Sequence, residues 1–284
     1  MKNILLPTDF SKNAFNATKF ALHLYEQEEC TFHFLHTYTP ATYSYSFSAD
    51  GSFSNVETIA SNQEKVYQES QDRLKEMLEH IINERPNEKH DFDVISAYNI
   101  LTDEINQQIS KRHIDLVIMG TKGDTNGGTS LFGSNTMHVM QKATCPVLTI
   151  PNDFHFRYID DILFPSDYKY PYSKNQLYPI VELANLNEAT VHTLHIYNKA
   201  KLTKEQVRNR DTINSFFARI AHDFNEVADV YISKAIEDYI EKNGIGLLAM
   251  TYRRHSFLER LLFRQNMTKV GMHIKIPFLV LPIA

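Results

Sequence analysis

The chain has 284 residues, of which 43% are hydrophobic and 22% charged. That length suits two domains of about 140 residues better than one, and the composition argues against a disordered or membrane-embedded chain. A net charge of −5 without a long Lys/Arg block excludes the broad basic footprint of a nucleic-acid binder; Arg253, Arg254, Arg260, Arg264 and Lys269 form only a local basic stretch.

The two cysteines, Cys30 and Cys145, lack CxxC spacing, which favours a reducing compartment over disulfide, zinc or redox chemistry. The N-terminal apolar run is too short for a signal peptide, and no segment reaches the roughly 18 apolar residues of a membrane span. The expected location is the cytoplasm, with no membrane partner.

Taken in chain order, Ile4 to Leu6 is a short branched apolar run, the pattern of a strand buried on both faces. Ser11 can cap a helix whose apolar positions Ala14, Ala17 or Thr18, Ala21 and Leu24 share one face. Thr31 to His36 is the next strand. Pro40 to Ser61, rich in Ser, Tyr, Phe and Thr, is expected to be an irregular surface loop, with a lid or partner-binding segment as the sharper alternative. Val66, Ser70, Leu74, Met77 or Leu78, and Ile81 or Ile82 then mark a longer amphipathic helix that ends before Pro86.

Phe92 to Ala97 is a third strand, Thr102 and Asp103 open a short helix, and Ile114 to Met119 is an apolar strand running into a glycine loop. A helix from Ser134 to Lys142 and a strand from Val147 to Ile150 complete the unit. Strands separated by helix-sized segments need crossover connections, so the sheet should be parallel, with helices on both faces and any ligand at the C-terminal strand ends.

The pattern then repeats. Asn3-Ile4-Leu5-Leu6-Pro7-Thr8-Asp9-Phe10 returns as Asp161-Ile162-Leu163-Phe164-Pro165-Ser166-Asp167-Tyr168; Leu35-His36 returns as Leu194-His195; and Cys145 to Pro151 returns as Ile276 to Pro282. Three matches in one order indicate a duplicated unit, divided into residues 1–152 and 153–284. Asn152 to His155 is the linker, short enough that the units should pack on each other. Strands are expected in the second unit at Ile162 to Phe164, Thr190 to Ile196, Val227 to Tyr231, Leu247 to Met250 and Phe278 to Leu281.

The chemistry concentrates at Met119-Gly120-Thr121-Lys122-Gly123, followed by Gly133-Ser134-Asn135-Thr136 at a helix start. Glycines permit positive φ and close approach of the backbone, while the first N–H groups of the helix are unpaired at its positive end, so the loop suits phosphate. Ser134 and Thr136 would add hydroxyl donors and Lys122 a mobile positive charge. The spacing fits neither the Walker loop nor the dinucleotide fingerprint.

The Gly120-x2-Gly123-x9-Gly133-Ser134 spacing resembles the ATP-binding signature of the universal stress protein family. The opening Ile4 to Ser11, the Leu35-His36 pair and the closing Cys145 to Pro151 are similar to that family too. The resemblance implies a Rossmann-like α/β fold of the adenine-nucleotide α-hydrolase type, here two tandem parallel-sheet domains forming a pseudo-dimer. It further implies ATP held by Pro7, Thr8 and Asp9 at the adenine and ribose, and by Thr37 at the base. Met119, Gly120, Lys122, Gly123, Gly133, Ser134, Asn135 and Thr136 match the ribose and phosphate contacts, with Mg2+ reached through the phosphates. Asp9 has an alternative reading as a turn or capping carboxylate, and His36 reads as a packed, hydrogen-bonded residue.

Aligning Leu116 to Met119 with Leu247 to Met250 puts Thr251, Arg254, Arg264 and Gln265 at the places of Gly120, Gly123, Gly133 and Ser134. The second unit is therefore expected not to bind ATP, its arginines filling the phosphate site, meeting an anion or acidic partner, or forming a solvated face. The function implied is an ATP-binding stress-response regulator, as a homodimer of tandem chains. Two alternatives stand beside it: an ATP-hydrolysing or ATP-using enzyme, though the SGGxDS-like loop is absent, and a protein scaffold with no nucleotide requirement.

Overall fold

The computed structural model describes residues 1–38, 56–122, 132–197, 201–228, 231–252 and 275–282, with side chains in the long helix from residue 64 onward. Gly123, most of the Pro40 to Ser61 segment, and Arg253, Arg254, Arg260, Arg264, Gln265 and Lys269 lie outside the described residues.

In the first half, β1 (Lys2–Pro7), β2 (Cys30–Tyr38), β3 (His90–Tyr98), β4 (Leu116–Gly120) and β5 (Val147–Ile150) alternate with α1 (Lys12–Leu24), α2 (Val56–Glu84), α3 (Leu101–Arg112) and α4 (Ser134–Lys142). The second half contributes β6 (Asp161–Pro165), β7 (Thr190–Tyr197), β8 (His222–Ala228), β9 (Leu247–Thr251) and β10 (Phe278–Leu281), with α5 (Lys174–Asn187), α6 (Lys204–Phe217) and α7 (Ile232–Asn243). The ten strands among the described residues form one sheet in the order β3-β2-β1-β4-β5-β10-β9-β6-β7-β8. Every pairing is parallel except β5 with β10, which meet antiparallel through Thr149 and Phe278, Leu148 and Leu279, and Val147 and Val280.

That seam joins the halves through equivalent strands, with Leu148 opposite its counterpart Leu279. The closing strands, whose apolar edges demanded a partner, find it inside the chain. Thr149 adds a side-chain bond, its hydroxyl donating to the Phe278 carbonyl at 3.2 Å. The two halves keep the same internal register: Thr121 N–H donates to the Ile150 carbonyl as Tyr252 N–H does to Leu281, and Val117 to Pro146 as Leu248 to Pro277. Thr251 thus occupies the place of Gly120.

Alternation along β2 shows how the sheet is covered, since successive side chains point to opposite faces. His36 meets Ser70 of α2, whereas His33 lies beside Arg112 of α3. Helices therefore cover both faces. The strand cores Ile4 to Leu6, Val117 to Ile118 and Leu247 to Ala249 are buried, as two-sided coverage requires. The linker is packed as well: Phe154 and Phe156 lie against Phe20 of α1, and Asn16 donates to the Phe154 carbonyl at 2.9 Å.

Two expected elements are displaced. The strand anticipated at Val227 to Tyr231 is β8, His222–Ala228, and Tyr231 is the residue capping α7. As an outermost strand it is fully buried at no position and carries polar residues between Phe224 and Val227, so its apolar signal is weak although its pairing with β7 is continuous. The segment expected to be irregular up to Ser61 is instead helical from Val56. Glu57 and Ala60 are good helix formers, and only the Ser/Tyr-rich part before Val56 lies outside the described residues.

Candidate functional site

The turn after β1 is built from its own side chains. Thr8 Oγ1 accepts the Phe10 N–H at 3.0 Å, and Asp9 Oδ1 accepts the Ser11 N–H at 3.0 Å. Ser11 then caps α1 by accepting from the Ala14 N–H at 3.1 Å, as its position before the apolar stripe predicts. Phe10 adopts φ 63, an unusual conformation for an aromatic residue. The hydrogen-bonded turn holds it there. Asp9 is thus a turn carboxylate that also lines the cleft, so its two readings are compatible.

The far wall is the end of β4 and the start of α4. Gly133, extended at φ −67 and ψ 158, offers α4 no side-chain cap, and its own N–H goes to the Thr121 carbonyl at 2.7 Å. By contrast α5 and α6 open with capping boxes from Ser173 and Thr203. The N–H groups of Ser134, Asn135 and Thr136 have no partner among the described residues. An open helix start carries about half a positive charge and favours an anion.

These walls enclose one cleft lined by Pro7, Thr8, Asp9, His36, Thr37, Met119, Gly120, Lys122, Gly133, Ser134, Asn135 and Thr136, with Ala14 and Leu101. Every residue singled out in the sequence faces it apart from Gly123, which lies outside the described residues. The cleft has a volume of about 160 Å³, less than the ~300–1,000 Å³ usual for small-molecule sites, so a whole nucleotide needs more room than these walls enclose.

Two expected roles change. Neither Gly120 nor Gly133 has a positive φ. A Cβ at Gly120 would stand 2.2 Å from Asn13 Nδ2, so glycine is required there by the Asn13 side chain of α1. Asn13 is buried and donates to the Lys122 carbonyl at 2.6 Å, tying α1 to the loop. Thr136 spends its hydroxyl proton on the Gly120 carbonyl at 3.0 Å and so cannot donate it to a phosphate. Its backbone N–H remains. Asn13 escaped the sequence reading although Ser11-Lys12-Asn13 returns as Ser173-Lys174-Asn175, a signal that could have found it.

The corresponding turn of the second half is a close copy with a different environment. Ser166 Oγ accepts the Tyr168 N–H, Asp167 Oδ1 accepts the Lys169 N–H, and Tyr168 has φ 54. Tyr168 lies 4.8 Å from His195 as Phe10 lies 4.7 Å from His36, but here the aromatic residue is buried, and α6 fastens the turn through Gln206 to the Asp167 carbonyl and Asn209 to the Tyr168 carbonyl. The strand-end turn is covered by protein.

A second duplicated feature was not foreseen. His33 bridges Asn3 and Asp93 across three strands, and His192 bridges Asp161 and Asp223 at the matching places. Burial lowers His33 below the ordinary histidine value, helped by Arg112 and opposed by Asp93. Burial also acts to lower His192, but the hydrogen-bonded Asp161 and Asp223 carboxylates outweigh it and raise the group.

Among the described residues no cluster of three or more His, Cys, Asp or Glu could hold a metal, and no helix is long and apolar enough to cross a membrane. A search of curated protein sequences finds no match. Solved structures are similar over nearly the whole chain. A universal stress protein from Archaeoglobus fulgidus aligns at 16% identity and TM-score 0.62, covering 99% of this chain and 96% of that one. A putative universal stress protein from Pseudomonas aeruginosa aligns at 13% identity and TM-score 0.56, covering 99% and 93%. These likenesses show the fold. The sequence model of the Universal stress protein family matches residues 1–151, just over half of the chain, and with it the chain belongs to the universal stress protein family.

Proposed function

We propose that the chain binds one ATP, in the first half, and acts as a nucleotide-dependent regulator of the stress response. The observation that carries this reading is the open start of α4. Three consecutive N–H groups without partners among the described residues face a cleft shared with Asp9, Thr37 and Lys122. The triphosphate occupies this end, the ribose lies between Asp9 and Met119, and the base extends towards Thr37. Pro7, Thr8, Gly120 and Gly133 shape the walls, and Gly123 belongs to the same loop. The donor set fits a phosphate, being N–H groups and a lysine; Mg2+ in this reading is held by phosphate oxygens and water, as is usual for that ion.

In this reading residues 1–152 are the binding domain, and residues 153–284 are a degenerate partner domain whose covered turn does not take nucleotide. The protein is cytoplasmic. A homodimer of tandem chains cannot use β5 or β10, which pair with each other, so it is built on other surfaces, and sedimentation at micromolar concentration will show one or two chain masses.

Mass spectrometry of small molecules released from the natively purified chain, followed by equilibrium titration of stripped protein with ATP and magnesium, tests the proposal. An adenine nucleotide at one per chain is the expected result. Absence of ATP affinity refutes it, and a stoichiometry of two refutes the assignment of the second half.

A further inference from the structure

His36 has a place in the cleft that its role as a packed strand residue does not explain. It ends the Leu35-His36 pair of β2 and lines the cleft beside Thr37. Its Nδ1 is 2.8 Å from Ser70 Oγ of α2, and Ser70 accepts a hydrogen bond from Ser96 Oγ of β3 at 2.6 Å. Ser70 is buried, and its hydroxyl has no other partner among the described residues, so its one proton goes to His36 Nδ1.

This relay from Ser96 through Ser70 fixes the imidazole tautomer. Nδ1 accepts, so Nε2 carries the hydrogen. Nε2 has no partner among the described residues and is not among the buried unsatisfied atoms, so it stays accessible in a ring that lines the cleft.

The second half supplies an internal comparison. His195, at the same place, sets Nδ1 3.0 Å from the Ser166 carbonyl, an atom that can only accept. Its Nδ1 therefore carries the proton, while its ring packs on Tyr168 much as that of His36 packs on Phe10. One histidine position has two tautomers, and only the half with the open cleft presents an Nε2–H donor.

The sheet order says which part of a ligand this donor meets. From β4 to β1 to β2 is two strand spacings, about 10 Å. An anion at the start of α4 thus leaves the opposite, uncharged end of a nucleotide near the end of β2. Burial and the nearby Arg73 lower His36, against the pull of Asp9, so the ring is neutral and suited to an uncharged acceptor.

Building on the nucleotide reading above, we infer that His36 is a base-recognition residue, its Nε2–H donating to a ring nitrogen of the purine while Ser70 and Ser96 hold the tautomer. One neutral hydrogen bond corresponds to roughly threefold to tenfold in affinity.

The test is equilibrium binding of ATP and its 1-deaza, 3-deaza and 7-deaza analogues, each lacking one ring acceptor, to the full chain and to His36→Leu and His36→Gln. One analogue should bind the unmodified chain several-fold more weakly than ATP. His36→Leu should lose the same factor for ATP and no longer distinguish that analogue. His36→Gln, whose amide reaches the Nε2 position, should restore the discrimination. Equal losses for all analogues in the unmodified chain and His36→Leu overturn the inference while leaving nucleotide binding intact, whereas no ATP binding by the unmodified chain overturns both. If His36→Leu does not fold, imidazole 15N spectra of the unmodified chain decide: an Nε2-protonated His36 and an Nδ1-protonated His195 are expected, and an Nδ1-protonated His36 overturns the inference.

Discussion

Replacing Gly120 with alanine tests the revised reason for that glycine. The added methyl would lie 2.2 Å from Asn13 Nδ2 and 2.6 Å from its Cγ, far inside contact distance, so the Asn13 side chain must move. Asn13 is only 6% exposed, and moving it breaks the 2.6 Å bond to the Lys122 carbonyl. Overpacking costs about 1–3 kcal/mol and a lost hydrogen bond about 1 kcal/mol, so a total of at least about 2 kcal/mol is expected. For a chain of this size that corresponds to a fall in melting temperature of roughly 4–8 °C. Urea denaturation of Gly120→Ala, Asn13→Ala and the double variant measures the coupling. Because Asn13→Ala removes the obstructing atoms, the double variant should be less destabilised than the sum of the singles by at least about 1 kcal/mol. Strict additivity, or a Gly120→Ala cost below about 0.5 kcal/mol, would refute the reasoning and return Gly120 to a role in ligand approach alone.

Ser134→Pro removes the first free N–H of α4 at a helix position that tolerates proline, after a Gly133 already extended at ψ 158. Nucleotide affinity should fall about tenfold with little change in melting temperature, while Ser134→Ala should fall less; calorimetric titration compares them. Tyr168→Ala empties a fully buried aromatic site and should cost about 3–5 kcal/mol in denaturant without raising nucleotide stoichiometry above one. The paired histidines should respond to acid with opposite signs. His192 is raised, facing Asp161, Asp223 and Tyr239, so its contribution is full below the unfolded histidine value near 6.5 and is lost as pH rises through its folded value. His33 is lowered, facing Asn3, Asp93 and Arg112, so its contribution is present above that unfolded value and is lost as pH falls through its folded value. Stability measured against pH should therefore flatten on the alkaline side in His192→Asn and on the acid side in His33→Asn.

Elements that carry their own signal were legible in the sequence. The helix Ser134–Lys142 and the strands Val147–Ile150 and Phe278–Leu281 fall where their apolar runs and glycine punctuation put them. Interior strands also announce themselves, since burial on both faces forces continuous branched residues. The outermost strand β8 does not, because half of its surface meets water and His222, Asp223, Asn225 and Glu226 are acceptable there. The cleft residues were legible through spacing, but their roles were not. That Gly120 yields to Asn13 depends on a side chain that arrives from a helix more than 100 residues away in sequence, and that Thr136 donates to the Gly120 carbonyl depends on how the chain folds back over a separation of 16 residues. The relay through Ser70 and Ser96 joins three separate elements and leaves no local pattern at all.

The antiparallel β5–β10 seam also has a bearing on how the two halves could change. Two separate subunits joined by such strands would exchange at low concentration, and each would have to keep both a seam and a site. Joined covalently, each half meets its partner at the millimolar effective concentrations typical of tethered modules, whatever the amount of protein present. The second half then need only keep Phe278–Leu281 able to fill the seam, and its ligand loop is released from that requirement. Arginines at the sequence places of Gly123 and Gly133, and a tyrosine sealed over its strand-end turn, are the kind of change such a release permits.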